Sequence, residues 1–355
     1  MGNKSFYGKE ESMCVAGVAI LLMIWHHLFT YQNWLIEGVR VESLLGNNIN
    51  FLVWLTARLG NICIFLFAFQ SGYAIYKRSD LYNTTKKRFS RIFSFLISYW
   101  MVCISFLIFA IVFNEDLPTL HNLLLNLIGI EVGFYSEWVN VTFAWYVLYY
   151  ILLVLSFPLL NYCFKSNNPI KIGISLVGCI CLILILSACG IPGYWKPFMA
   201  SIAGILTAKY EIFDYLSNNA KKYFSKGWIC VSTLAFVLLI RTILLYLGNL
   251  NKDQIFFSVI ESIAEAGIAF AFIFSFISLI RWLNNRAIFS SLCFIGGISM
   301  FLWFLHSILF TGSRFLQNYI YYPKEPVAIF ILVLAIFIPI SLVFNIAYKY
   351  IKRIL

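Results

Sequence analysis

The sequence predicts an all-α, polytopic integral membrane protein with about ten transmembrane helices and both termini in the cytoplasm. Its composition, its recurrent apolar segments and the positions of its basic residues together predict this class. The chain has 355 residues, of which 61% are hydrophobic and 12% are charged, whereas soluble domains are about 45–50% apolar and about 25% charged. So few charges cannot cover a water-facing surface of this size, which excludes a soluble enzyme, a disordered scaffold and a small disulfide-rich secreted domain.

The apolar residues form ten segments, and runs of about 20 apolar residues span a bilayer. The first segment is not a cleaved signal peptide, because it ends in aromatic residues and nine further spans follow it. No long soluble insertion interrupts the series, so we expect residues 1–355 to form a single membrane-embedded domain. The predicted spans are 13–31, 51–76, 91–113, 143–164, 170–190, 194–209, 227–247, 255–280, 288–310 and 327–349.

The basic residues give the predicted orientation, because cytoplasmic loops of membrane proteins are enriched in Lys and Arg. With the N-terminus in the cytoplasm, inner segments hold 19 of the 26 Lys and Arg residues, and the outer loop 114–142 holds none. The formal net charge of +11 is therefore a topology signal, and we expect the lipid bilayer rather than nucleic acid as a partner. The inner residues are Lys4, Lys9, Lys77, Arg78, Lys86, Lys87, Arg88, Arg91, Lys165, Lys171, Lys209, Lys221, Lys222, Lys226, Arg281, Arg286, Lys349, Lys352 and Arg353.

Among the polar side chains inside the predicted spans, nine are candidates for a functional site, because such residues are expensive at membrane depth. A rise of about 1.5 Å per residue places them all toward the outer face, which predicts one polar cavity. The alternative, a satisfied structural partner for each residue, stays open, and for Glu261 and Glu265 a salt bridge to Arg241 or Arg58 is the favoured role. The nine residues are His26, His27, Arg58, Asn61, Lys196, Arg241, Glu261, Glu265 and His306.

Histidine is the side chain best suited to accept a proton from a hydroxyl near neutral pH. At the same depth as Glu and Arg, a His can activate an acceptor alcohol, and Arg can stabilise the oxyanion of acyl transfer. His26 and His27 point about 100° apart on a helix, so only one of them faces a given cavity. The nine Cys show no CxxC pair and the His show no metal-ligand spacing, so we expect no metal.

Six segments, in order, resemble motifs of the acyltransferase-3 family of integral membrane acyltransferases. The segment from Gly17 to Phe29 resembles the family's first span, in which Gly-Ile-Ala and a run of aliphatic residues lead to a His. The basic residue that the family carries before this Gly is Ala16 here, which leaves open whether another cation replaces it. The segments are GVAILLMIWHHLF, NICIFLFAFQSGYAIYKR, KKRFSRIF, FAWYVLYYILLVLSFPLL, YWKPFMASIAGILTAKY and FIGGISMFLWFLHSILF.

The resemblance implies transfer of an acyl group, most often acetyl, from cytoplasmic acyl-CoA to a hydroxyl of a surface glycan. His27, or its neighbour His26, is then the expected catalytic base, and His306 is an expected site residue. For each His, an interhelical hydrogen bond without a catalytic role is the structural alternative.

The resemblance also implies a site for the acyl donor, acetyl-CoA. We expect Arg88 and Arg91, with Lys87, to bind its phosphates, since guanidinium groups pair well with phosphate. An ordinary basic flank of a membrane span is the alternative for these residues. Ser71, which opens the Ser-Gly-Tyr motif of the second span, is expected near the donor, with close helix packing as its alternative.

The leading hypothesis is therefore a membrane enzyme that O-acetylates a cell-surface or exported polysaccharide, with sugar or polysaccharide as acceptor. The Ile/Lys/Asn-rich sequence without a targeting peptide predicts a multi-pass protein of a bacterial plasma membrane. The first rival is a polysaccharide exporter, because intramembrane charges also mark transport paths. A glycan polymerase or an unrelated membrane-bound acyltransferase is the second rival.

Overall fold

A computed structural model of the chain describes residues 5–30, 47–112, 119–120, 124, 145–188, 196–250, 255–307 and 314–354. All regular elements among these residues are helical, which confirms the all-α prediction. The outer loop predicted over 114–142 lies almost wholly outside the described residues.

The helices are numbered in chain order. The first half contains α1 (Lys9–Thr30), α2 (Asn47–Gly60), α3 (Ile62–Lys77), α4 (Thr85–Val112), α5 (Trp145–Lys165) and α6 (Pro169–Ala188). The second half contains α7 (Phe198–Lys209), α8 (Ile212–Asn219), α9 (Lys221–Phe224), α10 (Gly227–Leu250), α11 (Ile255–Leu283), α12 (Arg286–Gly297), α13 (Ser299–Ser307), α14 (Arg314–Tyr321) and α15 (Pro326–Ile354).

Within the described ranges, seven stretches of helix are long and apolar enough to cross a bilayer: α1, α2 with α3, α4, α5, α10, α11 and α15. An eighth results if α12 and α13 form one bent span. The apolar helix α7 has 12 residues and rises only about 18 Å. The hydrocarbon core of a bilayer is thicker, at about 30 Å. Each of the ten predicted segments overlaps a helix among the described residues, while the count of ten crossings and the cytoplasmic termini stay predictions.

Contacts divide the described residues into two units. Unit 1 comprises Met1–Ala19, Ile62–Arg88 and Leu153–Gly296, and unit 2 comprises Ile20–Asn61, Phe89–Leu152 and Gly297–Leu355. Boundaries fall inside α1, α4, α5 and α12, so these helices contribute residues to both units. A single domain over the whole chain stays a prediction.

Local side-chain contacts explain where helices begin. Glu10 and Glu11 occupy the first turn of α1, where the positive end of the helix dipole stabilises carboxylates, and Glu11 accepts the backbone N–H of Gly8 at 3.0 Å. Before α6, the Asn168 side chain accepts the N–H of Ile170 at 2.9 Å. Helix ends of this kind satisfy the backbone groups that lack intrahelical partners.

In unit 1, α3 and α7 pack backbone against backbone at two glycines. A Cβ atom on Gly72 would lie 2.0 Å from the carbonyl oxygen of Ser201, and one on Gly204 would lie 2.1 Å from that of Phe69. The Ser201 hydroxyl also donates to the carbonyl of Ala68 at 2.7 Å. Small residues at such contacts replace the hydrophobic driving force that lipid cannot supply between helices. The Ser-Gly-Tyr motif that begins at Ser71 therefore has a packing role at its glycine.

In unit 2, aromatic side chains hold α13 between α4 and α15. The Phe304 ring lies 5.4 Å from that of Tyr99 on α4, and the Phe301 ring lies 5.8 Å from that of Phe344 on α15. Tyr348 on α15 also donates its hydroxyl to the carbonyl of Ser94 on α4 at 3.0 Å. These contacts fix the position of α13, whose last turn carries His306.

Replacing Gly72 with Ala should destabilise the protein, because the new methyl group meets the Ser201 carbonyl and forces α3 and α7 apart. We expect a loss of about 1–3 kcal/mol, the usual cost of overpacking a tight contact, measured as resistance to unfolding in detergent. The matched control is Gly178→Ala on α6, where an added Cβ meets nothing within 4 Å. Equal stability of the two variants would contradict the close approach of α3 and α7.

Candidate active site

The adjacent His26 and His27 on α1 contact different helices of unit 2. His26 is 4% exposed, and its Nδ1 lies 2.8 Å from the carbonyl oxygen of Ala57 on α2 and 2.9 Å from the hydroxyl of Thr30. A carbonyl oxygen only accepts hydrogen bonds, so Nδ1 of His26 donates to Ala57. His27 instead contacts α13. The two rings thus diverge as their spacing predicts, and His26 ties α1 to α2.

His27 and His306 form a direct hydrogen bond between their imidazoles. Nδ1 of His27 lies 2.7 Å from Nε2 of His306, and the two rings are 13° from parallel. His27 is 6% exposed and His306 is fully buried. The Nδ1 atom of His306 lies 2.8 Å from the carbonyl oxygen of Leu302, one turn earlier on α13. The structure therefore brings together two of the three predicted catalytic histidines, from helices 279 residues apart in sequence.

Further contacts fix the helix ends on both sides of this pair. The Tyr321 hydroxyl on α14 donates to the carbonyl of Leu28 at 3.0 Å, and the Tyr146 and Trp303 rings lie 4.4 Å apart. Burial raises the pKa of Tyr321, so its hydroxyl stays protonated and remains a donor. No motif in the sequence marks Tyr321, which lies between two predicted spans. The only sequence signal for Leu302 is its spacing of four residues from His306.

Arg58 is the predicted polar residue of α2 in unit 2. Its guanidinium carbon lies 5.3 Å from the centre of the Trp54 ring, one turn earlier on the same helix. A cation over an indole face is stabilised by the ring quadrupole. The side chain is half-buried, and it provides unit 2 with a cation on a helix that contacts His26.

The other predicted intramembrane charges form two ion pairs in unit 1. Arg241 on α10 bonds Glu265 on α11 at 3.1 Å, and both side chains are at most 1% exposed. Lys196 bonds Glu261, one turn from Glu265, at 2.8 Å. The salt bridge predicted between Glu265 and Arg241 is present, whereas Glu261 forms an ion pair with Lys196. Each pair neutralises the charges that a hydrocarbon environment makes expensive.

Three of the four residues predicted to bind the acyl donor lie in the first two turns of α4. Lys87 donates to the carbonyl of Asp80 at 2.7 Å, and Arg88 donates to the carbonyl of Tyr82 and the hydroxyl of Thr85, both at 3.0 Å. These bonds order the turn between α3 and α4. Arg91 follows one turn later, half-buried, and Ser71 is a half-buried residue of α3.

Unit 1 also contains a cavity of about 440 Å³ lined by Phe6, Phe274, Trp282 and Arg281, together with small polar side chains. Arg281 donates to the carbonyl of Phe6 at 2.8 Å and to Glu11 at 3.0 Å, which holds the segment before α1 against α11. Ligand cavities measure about 300–1,000 Å³. In the sequence, Arg281 is only one of the inner basic residues that indicate topology, because no motif around it marks a cavity.

No group of three or more His, Cys, Asp or Glu residues is placed to hold a metal ion within the part of the chain that the structure describes. Comparison with known proteins gives a match to a family model described as an acyltransferase domain, over residues 15–346. No curated protein and no solved structure matches the chain.

Replacing Glu265 with Gln should destabilise the protein strongly, because it leaves the buried Arg241 guanidinium without a counter-charge. Breaking one side of a buried pair costs about 3–5 kcal/mol, which can be measured by unfolding in detergent. Glu211→Gln is the matched control, since its pair with Lys77 at 3.2 Å is largely exposed and exposed pairs contribute little. Similar stability of both variants would show that the Arg241–Glu265 pair is not a stabilising contact.

Proposed function

The chain belongs to the acyltransferase-3 family of membrane O-acyltransferases, and we propose that it transfers an acetyl group from cytoplasmic acetyl-CoA to a hydroxyl of a surface or exported polysaccharide. The observation that carries the proposal is the hydrogen-bonded pair of His27 and His306, in which both side chains are buried. A buried imidazole on the first span provides the base that a sugar hydroxyl needs to become a nucleophile.

In the proposed reaction, His27 removes the proton of the acceptor hydroxyl as its oxygen attacks the thioester carbonyl carbon. The carbon–sulfur bond then breaks, and the proton passes from His27 to the departing thiolate, which yields an ester and free CoA. Two binding partners follow, a polysaccharide acceptor and acetyl-CoA, and the reaction needs no metal. We place the protein in a bacterial plasma membrane, where an acyl donor made in the cytoplasm and an acceptor outside the cell meet.

Arg58 is our candidate for stabilising the oxyanion that develops on the thioester carbonyl. It lies on α2, whose Ala57 carbonyl binds His26, and a positioned guanidinium is suited to a developing negative charge. Glu261, Glu265 and Arg241 then have a structural role, because their charges are matched in ion pairs.

Replacing His27 with Gln should reduce acetylation by about 10²- to 10⁴-fold, the usual contribution of a general base. The measurement is the O-acetyl content of the purified surface glycan by NMR, with protein level checked in the membrane. His26→Gln is the matched control, because a Gln amide still donates to the Ala57 carbonyl, and we expect it to retain most activity. The reverse ranking would assign the base to His26, and full acetylation by both variants with altered glycan export would favour the exporter.

Replacing Arg91 with Gln should raise the concentration of acetyl-CoA at half-maximal rate, because a phosphate contact is lost while the base is intact. Membranes from cells that carry the glycan, supplied with radiolabelled acetyl-CoA, give this value directly. Arg78→Gln is the control, since Arg78 is exposed on the same basic segment and carries the same charge. If both variants and the unmodified protein reach half-maximal rate at the same acetyl-CoA concentration, Arg91 is not part of the acetyl-CoA site. The cavity beside Arg281 is then the next candidate for that site.

A further inference from the structure

The chain of contacts from Leu302 through His306 to His27 determines which ring nitrogen of His27 is the base. We infer that His306 is a positioning residue, which holds His27 in the tautomer protonated at Nδ1 and so makes Nε2 of His27 the proton-accepting atom. This inference rests on the proposed function for its chemical meaning, although the tautomer itself can be measured without any activity.

The proton positions follow from the Leu302 carbonyl, which ends this series of contacts. The Leu302 oxygen offers only lone pairs, so Nδ1 of His306, at 2.8 Å, carries the hydrogen of that contact. A neutral imidazole carries one N–H, which leaves a lone pair on Nε2 of His306. Nδ1 of His27, 2.7 Å away, must then be the donor, because two lone pairs at that distance repel each other. The unprotonated nitrogen of His27 is therefore Nε2.

Burial of the two histidines disfavours the reversed tautomer of His27. His27 is 6% exposed and His306 is fully buried, so a reversed tautomer finds no compensating bulk water around the contact. A buried polar group without its hydrogen bond costs about 1–3 kcal/mol. Reversal of both rings would lose the contact of His306 with Leu302, and reversal of His27 alone would lose the contact between the two histidines. The i, i+4 spacing of Leu302 and His306 within α13 keeps the carbonyl in place, because the same helical turn holds both groups.

The tautomer protonated at Nδ1 lets His306 stabilise the charged His27 ring that forms during the reaction. When Nε2 of His27 accepts the proton of the acceptor hydroxyl, the ring becomes positively charged while Nδ1–H still points at the lone pair of His306. That hydrogen bond becomes charge-assisted, and such bonds are roughly twice as strong as neutral ones. When the carbon–sulfur bond breaks, Nε2 returns the proton to the thiolate. His306 thus acts only through His27, whose charged form it stabilises and whose ring it orients.

Solid-state NMR of the full-length protein in lipid bilayers tests the tautomer directly. With ring-¹⁵N histidine, the shifts of Nδ1 and Nε2 report which nitrogen carries hydrogen, and the His27 signals are those lost in His27→Gln. We expect a protonated Nδ1 and an unprotonated Nε2 in the unmodified protein, and a shift toward the Nε2–H tautomer in His306→Ala. Protonation at Nε2 in the unmodified protein would overturn the inference, whether or not His306→Ala folds.

Activity provides the second readout, with acetyl-CoA turnover measured in membranes that carry the glycan. We expect His306→Ala to lower the maximal rate at least about 10-fold, as loss of an orienting partner does, with the half-saturating acetyl-CoA concentration unchanged. His306→Gln should restore much of the rate, since its amide oxygen can accept from Nδ1 of His27. Ser98→Ala, which removes a buried hydroxyl that contacts Met300 of α13, should retain full activity.

The two readouts separate failure of the inference from failure of the proposed function. The Nδ1–H tautomer in the unmodified protein with an unchanged rate in His306→Ala would overturn the positioning role and leave acyl transfer by His27 intact. A full acetylation rate in His27→Gln would overturn the function of His27 and, with it, the positioning role. Equal loss of rate in Ser98→Ala and His306→Ala would reduce His306 to a packing residue and so contradict the inference.

Discussion

A hydrocarbon environment offers a polar side chain no water to bond with, and each polar side chain within the spans has to find its partner in the protein. This constraint accounts for the direct bond between His27 and His306. It also accounts for the pairing of Arg241 with Glu265 on neighbouring helices. The same constraint gives the histidine pair defined proton positions, because no bulk water competes for its nitrogens.

Lipid also removes the hydrophobic effect as a force between helices, so close packing has to replace it. The glycines of α3 and α7 serve this purpose, since a side chain at Gly72 or Gly204 would collide with a facing carbonyl. In unit 2 aromatic rings hold α13 between α4 and α15. The positioning role inferred for His306 depends on this packing, because a loosely held α13 could not maintain a 2.7 Å contact with α1.

The chemistry proposed for this membrane acyltransferase requires an accurately oriented base. In the proposal His27 is that base, and His306 with the Leu302 carbonyl orients it. In unit 1, Arg241 is paired with Glu265 and Lys196 with Glu261, and the proposal gives these four residues a structural role. The basic turn before α4 is likewise ordered by Lys87 and Arg88, which leaves Arg91 as the clearest test of donor binding.

The sequence by itself determined the helical class, the positions of the apolar segments and the set of polar residues within them. Hydropathy and the cost of burying a charge both follow from which residue types occur at which positions. It also identified the family, since six motifs appear in order. Only the tertiary structure decided which of two adjacent histidines meets His306, and that Glu261 pairs with Lys196. The pairing of two side chains on different helices depends on which helices pack together and on how each is rotated about its axis. The periodicity of a single helix gives neither piece of information. The proton positions of the histidines needed one further contact, from a backbone carbonyl that no sequence motif marks.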